Sequence, residues 1–229
     1  MSEEAERRRA EAVARINAID RDRLAEEPDR RAFFEAVYDT AEGDPSGVPW
    51  ADLAPKAQLA AWLAGRNGQG KRAIDVACGL GDNAEANAAA GYETTAFDGS
   101  AKAIGWARQR FPQSSVEYRV ADLLDLPREW RGGFDLVNEC YTIQSVPPQL
   151  HADFTRAIAE LVRPGGTLLV YARVRPEEAT VEGPPWPLTR GEASAFEALG
   201  FTLVSEERFE FRFPNRVSPH VFAEWTKVR

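Results

Sequence analysis

The chain has 229 residues, 44% of them hydrophobic and 28% charged, which suits one globular domain with a substantial core. A formal net charge of −8 argues against a nucleic-acid partner, because neutralising phosphates takes clustered Lys and Arg. Two cysteines, Cys78 and Cys140, make no disulfide framework, and no Cys, His and carboxylate cluster has metal-ligand spacing, so no metal is expected.

The charged opening (Glu3, Glu4, Glu6, Arg7, Arg8, Arg9) lacks the apolar core of a signal peptide, and no apolar run approaches membrane-spanning length. A cytoplasmic protein with no membrane partner is expected. Val13, Ile16, Ile19 and Leu24 recur at roughly helical spacing over residues 3–27. After Pro28, Asp29 is placed to cap a second helix over 30–38, whose Phe33, Phe34, Val37 and Tyr38 form an apolar face. The Gly- and Pro-rich loop from Ala41 ends at Trp50, a large aromatic in a turn-forming segment. Residues 1–50 are read as an N-terminal helical lid segment and 51–229 as the main domain.

A helix over 55–66 comes next, and strands then alternate with helices. A strand ends near Val76, a helix covers 83–90, and a second strand reaches Asp98. A helix over 100–110, strands over 116–120 and 134–138, a helix over 148–162 and a strand over 167–172 follow. Thr189-Arg190-Gly191-Glu192 reads as a capping box starting a helix to Leu199. Runs 201–213 and 217–227, joined by Pro214-Asn215, suggest a hairpin-like pair. Such alternation predicts an α/β fold: a mostly parallel sheet covered by helices on both faces, with one antiparallel edge strand.

The stretch with most chemical content is Asp75-Val76-Ala77-Cys78-Gly79-Leu80-Gly81-Asp82, a strand running through a glycine turn into an alanine-rich helix. Glycines there allow a sharp bend and close approach of a ligand at the carboxyl end of a strand. Asp82 or Asn83 is placed to cap the helix. Asp98, 17 residues after Gly81, closes the next apolar run, where a carboxylate can bind both hydroxyls of a ribose. An adenosine-bearing cofactor follows, either a nicotinamide dinucleotide or S-adenosylmethionine.

Four features separate these two: Asp75 before the glycine turn, Ala121-Asp122-Leu123 after the third strand, Phe134-Asp135-Leu136-Val137-Asn138-Glu139 in the fourth, and Pro164-Gly165-Gly166 before the fifth. Together they resemble the class I S-adenosylmethionine-dependent methyltransferases over residues 50–229, with Pro49-Trp50 and Tyr141-Thr142-Ile143-Gln144 similar to the small-molecule, thiopurine- and tellurite-type branch. The resemblance implies a Rossmann-like seven-stranded sheet and S-adenosyl-L-methionine as cofactor. It also implies that Asp75 orients the glycine turn, that Ala77, Gly79 and Gly81 border the methionine portion, and that Asp98 holds the ribose. Asp122 and Leu123 would meet the adenine, and Asn138 would open onto the methyl group.

Transfer of a methyl group is an in-line displacement, so aligning a small-molecule acceptor in a dry site is most of the task. Glu139 and Tyr141 are the candidates for acceptor contacts or catalysis; Tyr38, Trp50 and Trp186 are candidate walls of the acceptor pocket. His151 and His220 read as surface or capping residues, so a base-free transfer is expected. An NAD(P)-dependent oxidoreductase is the alternative, although no Tyr-x-x-x-Lys pair is present; a non-catalytic nucleotide-binding module of the same fold is another.

Overall fold

A computed structural model describes residues 7, 14, 30–179, 181, 183–213 and 216–228. The helix expected over 3–27 and the cap expected from Asp29 lie, apart from residues 7 and 14, outside the described residues. Helix α1 spans Arg31–Thr40 and α2 spans Ala57–Leu63. Then come β1 (Arg72–Val76), α3 (Asp82–Ala89), β2 (Glu93–Asp98), α4 (Ala101–Arg110), β3 (Glu117–Val120) and β4 (Phe134–Cys140). Helix α5 (Pro148–Leu161) leads into β5 (Val162–Arg173), and the one-turn helix α6 (Arg190–Ala193) precedes β6 (Phe201–Phe213) and β7 (Arg216–Lys227).

The strands form one seven-stranded sheet in the order β3-β2-β1-β4-β5-β7-β6. Strand β1 pairs in parallel with both β2 and β4, so successive connections leave to opposite sides of it. That reversal opens a crevice at the carboxyl ends of β1 and β4, where ligands of such sheets bind. Both faces are buried, which is why the central strands read as nearly continuous apolar runs. On one face Ile74, Val76, Val137, Leu168 and Val170 pack with Phe154, Ile158 and Leu161 of α5 and with Trp130, Phe196 and Trp225. On the other, Ala73, Leu136, Leu169, Tyr171 and Phe222 lie beneath Leu59 and Leu63 of α2. Fully buried side chains such as Trp225, Phe134 and Phe196 stabilise this core by about 1.5–3 kcal/mol each.

Several local expectations change. The reversed strand is β7, antiparallel to both β5 and β6, and it lies one place in from the edge, leaving β6 outermost. Gly81, in the left-handed region, stands at the N-cap of α3 with no side-chain cap. Asp82 instead pairs with Arg110 at 2.7 Å, and Asn83 Oδ1 accepts from the Lys56 N–H. The Thr189–Glu192 capping box forms, but α6 stops at Ala193; the Glu192 carboxylate also lies 2.7 Å from His151 Nδ1. His151 is buried, not on the surface, and its Nε2 lies 3.0 Å from the Val146 carbonyl. Burial resists ionisation of Glu192, but its bonds from His151 and Thr189 prevail and bring its carboxyl down to about 2.

Two carboxylates sit inside the sheet. Burial, reinforced by the Asp98 charge and opposed by the Ala84 amide, raises Asp75 to about 8. Burial likewise raises Glu139 to about 7, against backbone bonds that favour its charged form. The folded state therefore holds protons that the unfolded chain releases near pH 4, and stability falls as pH rises from there through the folded values. Asp75→Asn removes one such penalty. Its thermal midpoint should exceed that of the parent protein at pH 8, where the penalty is on the order of several kcal/mol, and the gap should close toward pH 4. A gap that stays constant across this range would rule out a protonated, buried Asp75.

Candidate functional site

The site is assembled where β1, β2 and β4 end. After β1 the backbone turns through left-handed conformations at Ala77 (φ 49°), Gly79 (φ 52°) and Gly81 (φ 89°). The two glycines serve different ends. A Cβ on Gly81 would lie 2.3 Å from the Tyr118 hydroxyl, so that glycine lets the helix and strand pack. A Cβ on Gly79 would meet only Tyr38 Oη at 3.6 Å and Trp50 Nε1 at 4.0 Å, so the turn faces an aromatic cover. Asp98 braces the turn from β2: its Oδ2 accepts from the Gly79 N–H and its Oδ1 from the Ser100 N–H, both at 2.9 Å. Burial raises its pKa against those two bonds.

Asp122 follows β3, half-buried, with Oδ1 accepting from the Leu124 N–H at 2.9 Å and Oδ2 at 3.1 Å from Arg31 of α1. Leu123 turns its side chain into the core beside it. Asp75 and Asn138 are register partners across β1 and β4, and both are buried. Asp75 Oδ2 and both amide atoms of Asn138 find no partner among the described residues. Buried polar groups are nearly always satisfied, so these atoms, at the point where the strand order reverses, call for a bound group with donors and acceptors of its own.

The turn after β4 joins the site to its surroundings. Glu139 does not aim its bonded oxygen at open space: Oε1 accepts from the Thr142 N–H at 2.8 Å and the Ile143 N–H at 3.1 Å. Oε1 thus holds the turn, while Oε2, also buried, has no partner among the described residues. Tyr141 has φ 64°, a left-handed conformation uncommon for a bulky residue. Its hydroxyl lies 2.8 Å from Nε2 of His220, whose Nδ1 lies 2.8 Å from the Ser218 carbonyl. A carbonyl only accepts, so Nδ1 carries the proton and the Tyr141 hydroxyl donates to Nε2. Burial, with the nearby charges of Arg173 and Lys56, lowers the His220 pKa, although its bond to Ser218 opposes this. Burial holds the Tyr141 hydroxyl well above the usual phenol range. Lys56 Nζ stands 4.6 Å from the centre of the Tyr141 ring.

An aromatic cover crosses this crevice. Trp50 Nε1 donates to Tyr38 Oη at 3.1 Å, and their rings meet edge-on with centroids 5.9 Å apart. Phe34 continues the row from Trp50 at 5.5 Å, and Phe33 from Phe34 at 5.3 Å. Buried Arg30 closes it, with its guanidinium 4.0 Å from the Phe33 ring centre and 5.2 Å from that of Trp186. Tyr38 and Trp50 therefore lie over the glycine turn, and Trp186 is tied to them through Arg30. Sequence reasoning missed Arg30, Lys56 and His220. Only the β7 register, which sets His220 opposite Arg173 at the carboxyl end of β5, brings His220 to Tyr141. Among the described residues no group of three or more His, Cys, Asp or Glu could hold a metal ion, and no helix is long and apolar enough to cross a membrane.

Residues 73–166 match the family described as "Methyltransferase domain". A ubiquinone biosynthesis O-methyltransferase of Xanthomonas campestris pv. campestris (strain B100) is 40% identical over 103 residues, which are 44% of this chain and 42% of that protein. This chain thus spans about two fifths of the length of the curated relatives it matches. The Burkholderia thailandensis 1,6-didemethyltoxoflavin-N1-methyltransferase, solved with 1,6-didemethyltoxoflavin and S-adenosylhomocysteine bound, superposes with a TM-score of 0.64 at 19% identity, over 88% of each chain. The [4+2]-cyclase SpnF superposes at 0.62 with 18% identity, covering 75% of this chain and 80% of that one. Its presence means that the fold is used for more than one reaction. Residues 73–166 thus resemble the methyltransferase-domain family, and the chain shares the fold of both solved structures.

Proposed function

We propose that the protein is an S-adenosylmethionine-dependent methyltransferase acting on a flat, small-molecule acceptor that must lose a proton from oxygen or a similar atom. One observation carries this reading. The braced glycine turn with Asp98 lies on one side of the unmatched Asp75–Asn138 pair, and the Tyr141–His220 pair follows on the other. When bound, the cofactor would supply an electrophilic methyl group on a sulfonium. Asp98 would exchange its hold on the Gly79 and Ser100 amides for the two ribose hydroxyls. Asp122 and the backbone of Leu123 would meet the adenine, and Ala77, Gly79 and Gly81 would border the methionine portion. Asn138 would take the ligand's polar groups nearest the methyl.

On the acceptor side, Tyr141 and His220 form a proton path. The acceptor proton moves to Tyr141 Oη as the phenolic proton moves to His220 Nε2, so no free phenolate is needed. A lowered His220 pKa keeps Nε2 ready to accept at neutral pH. This path is favoured over the base-free route expected from sequence by the hydrogen bond that Tyr141 and His220 share beyond β4. Glu139 acts as a positioning residue through the turn it holds. Tyr38, Trp50 and Trp186 exclude water and suit a flat acceptor. The name of the Xanthomonas relative, an O-methyltransferase, is consistent with an acceptor that requires deprotonation.

Calorimetry should detect S-adenosylmethionine or S-adenosylhomocysteine and no comparable binding of NAD or NADP. Asp98→Ala should weaken that binding at least tenfold, since each charged hydrogen bond contributes roughly 1.5–3 kcal/mol. Tight dinucleotide binding without adenosylmethionine binding would overturn the reading in favour of an oxidoreductase.

With an acceptor in hand, Tyr141→Phe and His220→Gln should each lower kcat by roughly 10²-fold or more while cofactor affinity stays unchanged. Parent activity should rise with pH along a limb below about pH 6.5, the side to which His220 is shifted, and His220→Gln should abolish that limb. Glu139→Gln should change turnover by less than about tenfold and keep it, since the general-base step lies elsewhere. A pH profile untouched by His220→Gln would remove the proton path.

A further inference from the structure

Strand β6 is the outermost strand of the sheet, and it is long, exposed along most of its length and regular. Among the described residues, its outer row of backbone N–H and C=O groups has no neighbouring strand. Proteins commonly blunt such an edge with charges of one sign, with proline or with bulges. Here a register shift between Leu203 and Ser205 closes one end of the regular stretch, and the strand ends at Phe213 at the other. Between them the charges alternate in sign. Glu206, Arg208, Glu210 and Arg212 share one face, with Arg208 Nε 2.6 Å from Glu206 and Arg212 Nη2 2.7 Å from Glu210. On the opposite face lie Ser205, Glu207, Phe209, Phe211 and Phe213.

We propose that β6 pairs with β6 of a second copy of this chain, antiparallel across a two-fold axis through Phe209. Phe209 is the midpoint of the stretch from Ser205, after the register shift, to Phe213, where β6 ends. In that register Glu206 faces the partner's Arg212, and Arg208 faces the partner's Glu210. The two-fold repeats both contacts, and each charged side chain on that face meets its opposite. Moving the axis by one residue in either direction reverses the outcome. Centred on Arg208 it sets Glu206 against the partner's Glu210; centred on Glu210 it sets Arg208 against the partner's Arg212. Centred on Glu207 or Phe211, only one of the two opposite-charge pairs survives. The pattern therefore attracts its own copy in one register and repels it in the neighbouring ones, which is how cross-strand charge sets register.

The other face adds an apolar centre. Phe209 would meet the partner's Phe209 across the axis, with Phe211 diagonal to it. Phe211 is 45% exposed in the single chain, and its ring stands 5.7 Å from that of Phe209. The same Phe209 ring stacks on His220 at 5.4 Å, so the edge is continuous with the β7 side of the crevice. Pairing of this kind uses the same patch on both copies and closes after two, giving one sheet across the dimer.

Sedimentation equilibrium on the full chain tests this. The parent protein should be a dimer. Arg208→Glu sets glutamate against the partner's Glu210, and Glu210→Arg sets arginine against the partner's Arg208. Each alone, repeated by the two-fold, should weaken association by roughly tenfold or more. The double variant R208E/E210R restores opposite charges in the same register and should restore the dimer. Circular dichroism of all three variants separates loss of pairing from loss of folding. Amides over 205–213 should also exchange more slowly as protein concentration rises. A parent protein that stays monomeric at all concentrations would overturn the proposal, even if the edge captured another protein. So would a dimer indifferent to both single reversals, or folded single variants whose combination fails to re-associate.

Discussion

The interaction on which most of this structure depends is the grip of one buried carboxylate on the turn that follows β4. Glu139 accepts from the Thr142 and Ile143 amides, and that turn is where the elements of the site are joined. The Thr142 hydroxyl donates to the Val76 carbonyl at the end of β1. The Ser145 carbonyl accepts from Arg30, and the Gln144 carbonyl from the Trp186 amide. Gln144 Oε1 accepts from the Arg173 amide at the end of β5, and the Val146 carbonyl faces His151. A single short turn thus fixes the cover, the end of β5 and the start of α5 relative to the glycine turn.

Holding this arrangement costs stability elsewhere. Asp75 and Glu139 are buried where water cannot solvate their charge, and burial drives both toward the protonated form. Asn138 keeps both amide atoms unmatched beside Asp75. A core built for stability alone would carry apolar residues there, and unmatched polar groups cost about 1–3 kcal/mol each. Asp75, Asn138 and Glu139 carry such atoms where the strand order reverses, as Asn87 and Trp225 do elsewhere in the core. The cover has the opposite character. Edge-on rings and a guanidinium resting on aromatic faces fill the space above the turn with apolar surface and little hydration.

The reversed strand β7 has consequences on both of its sides. Running against β5, it carries its early residues back to the carboxyl ends of the parallel strands, and His220 arrives opposite Arg173 and beside Tyr141. Running against β6, it leaves that strand as the outer edge, with alternating charges along one face and phenylalanines on the other. One change of direction therefore sets His220 beside Tyr141 and leaves β6 as the edge of the sheet.

Much of this was legible in the sequence, for local reasons. Apolar runs, glycine punctuation and capping residues act over a few positions, so they specified strands, turns and helices, and their alternation specified the sheet. Asp75, Gly79, Gly81, Asp98, Asp122 and Asn138 stood out in the sequence because they lie in or just after the apolar runs that form β1 to β4. The contacts beyond β4 did not, because they join residues far apart in the chain. Tyr141 and His220 are 79 positions apart, and Arg30 and Ser145 are 115 apart. Nothing around His220 distinguishes it from a surface histidine until the register with β5 is known. The role of Glu139 was hidden for a related reason, since a carboxylate that holds backbone amides and one that faces a ligand have the same neighbours in sequence. Local pattern determined the elements and the turn; which side chains meet across the crevice was decided only by strand register and packing, which sum contacts over the whole chain.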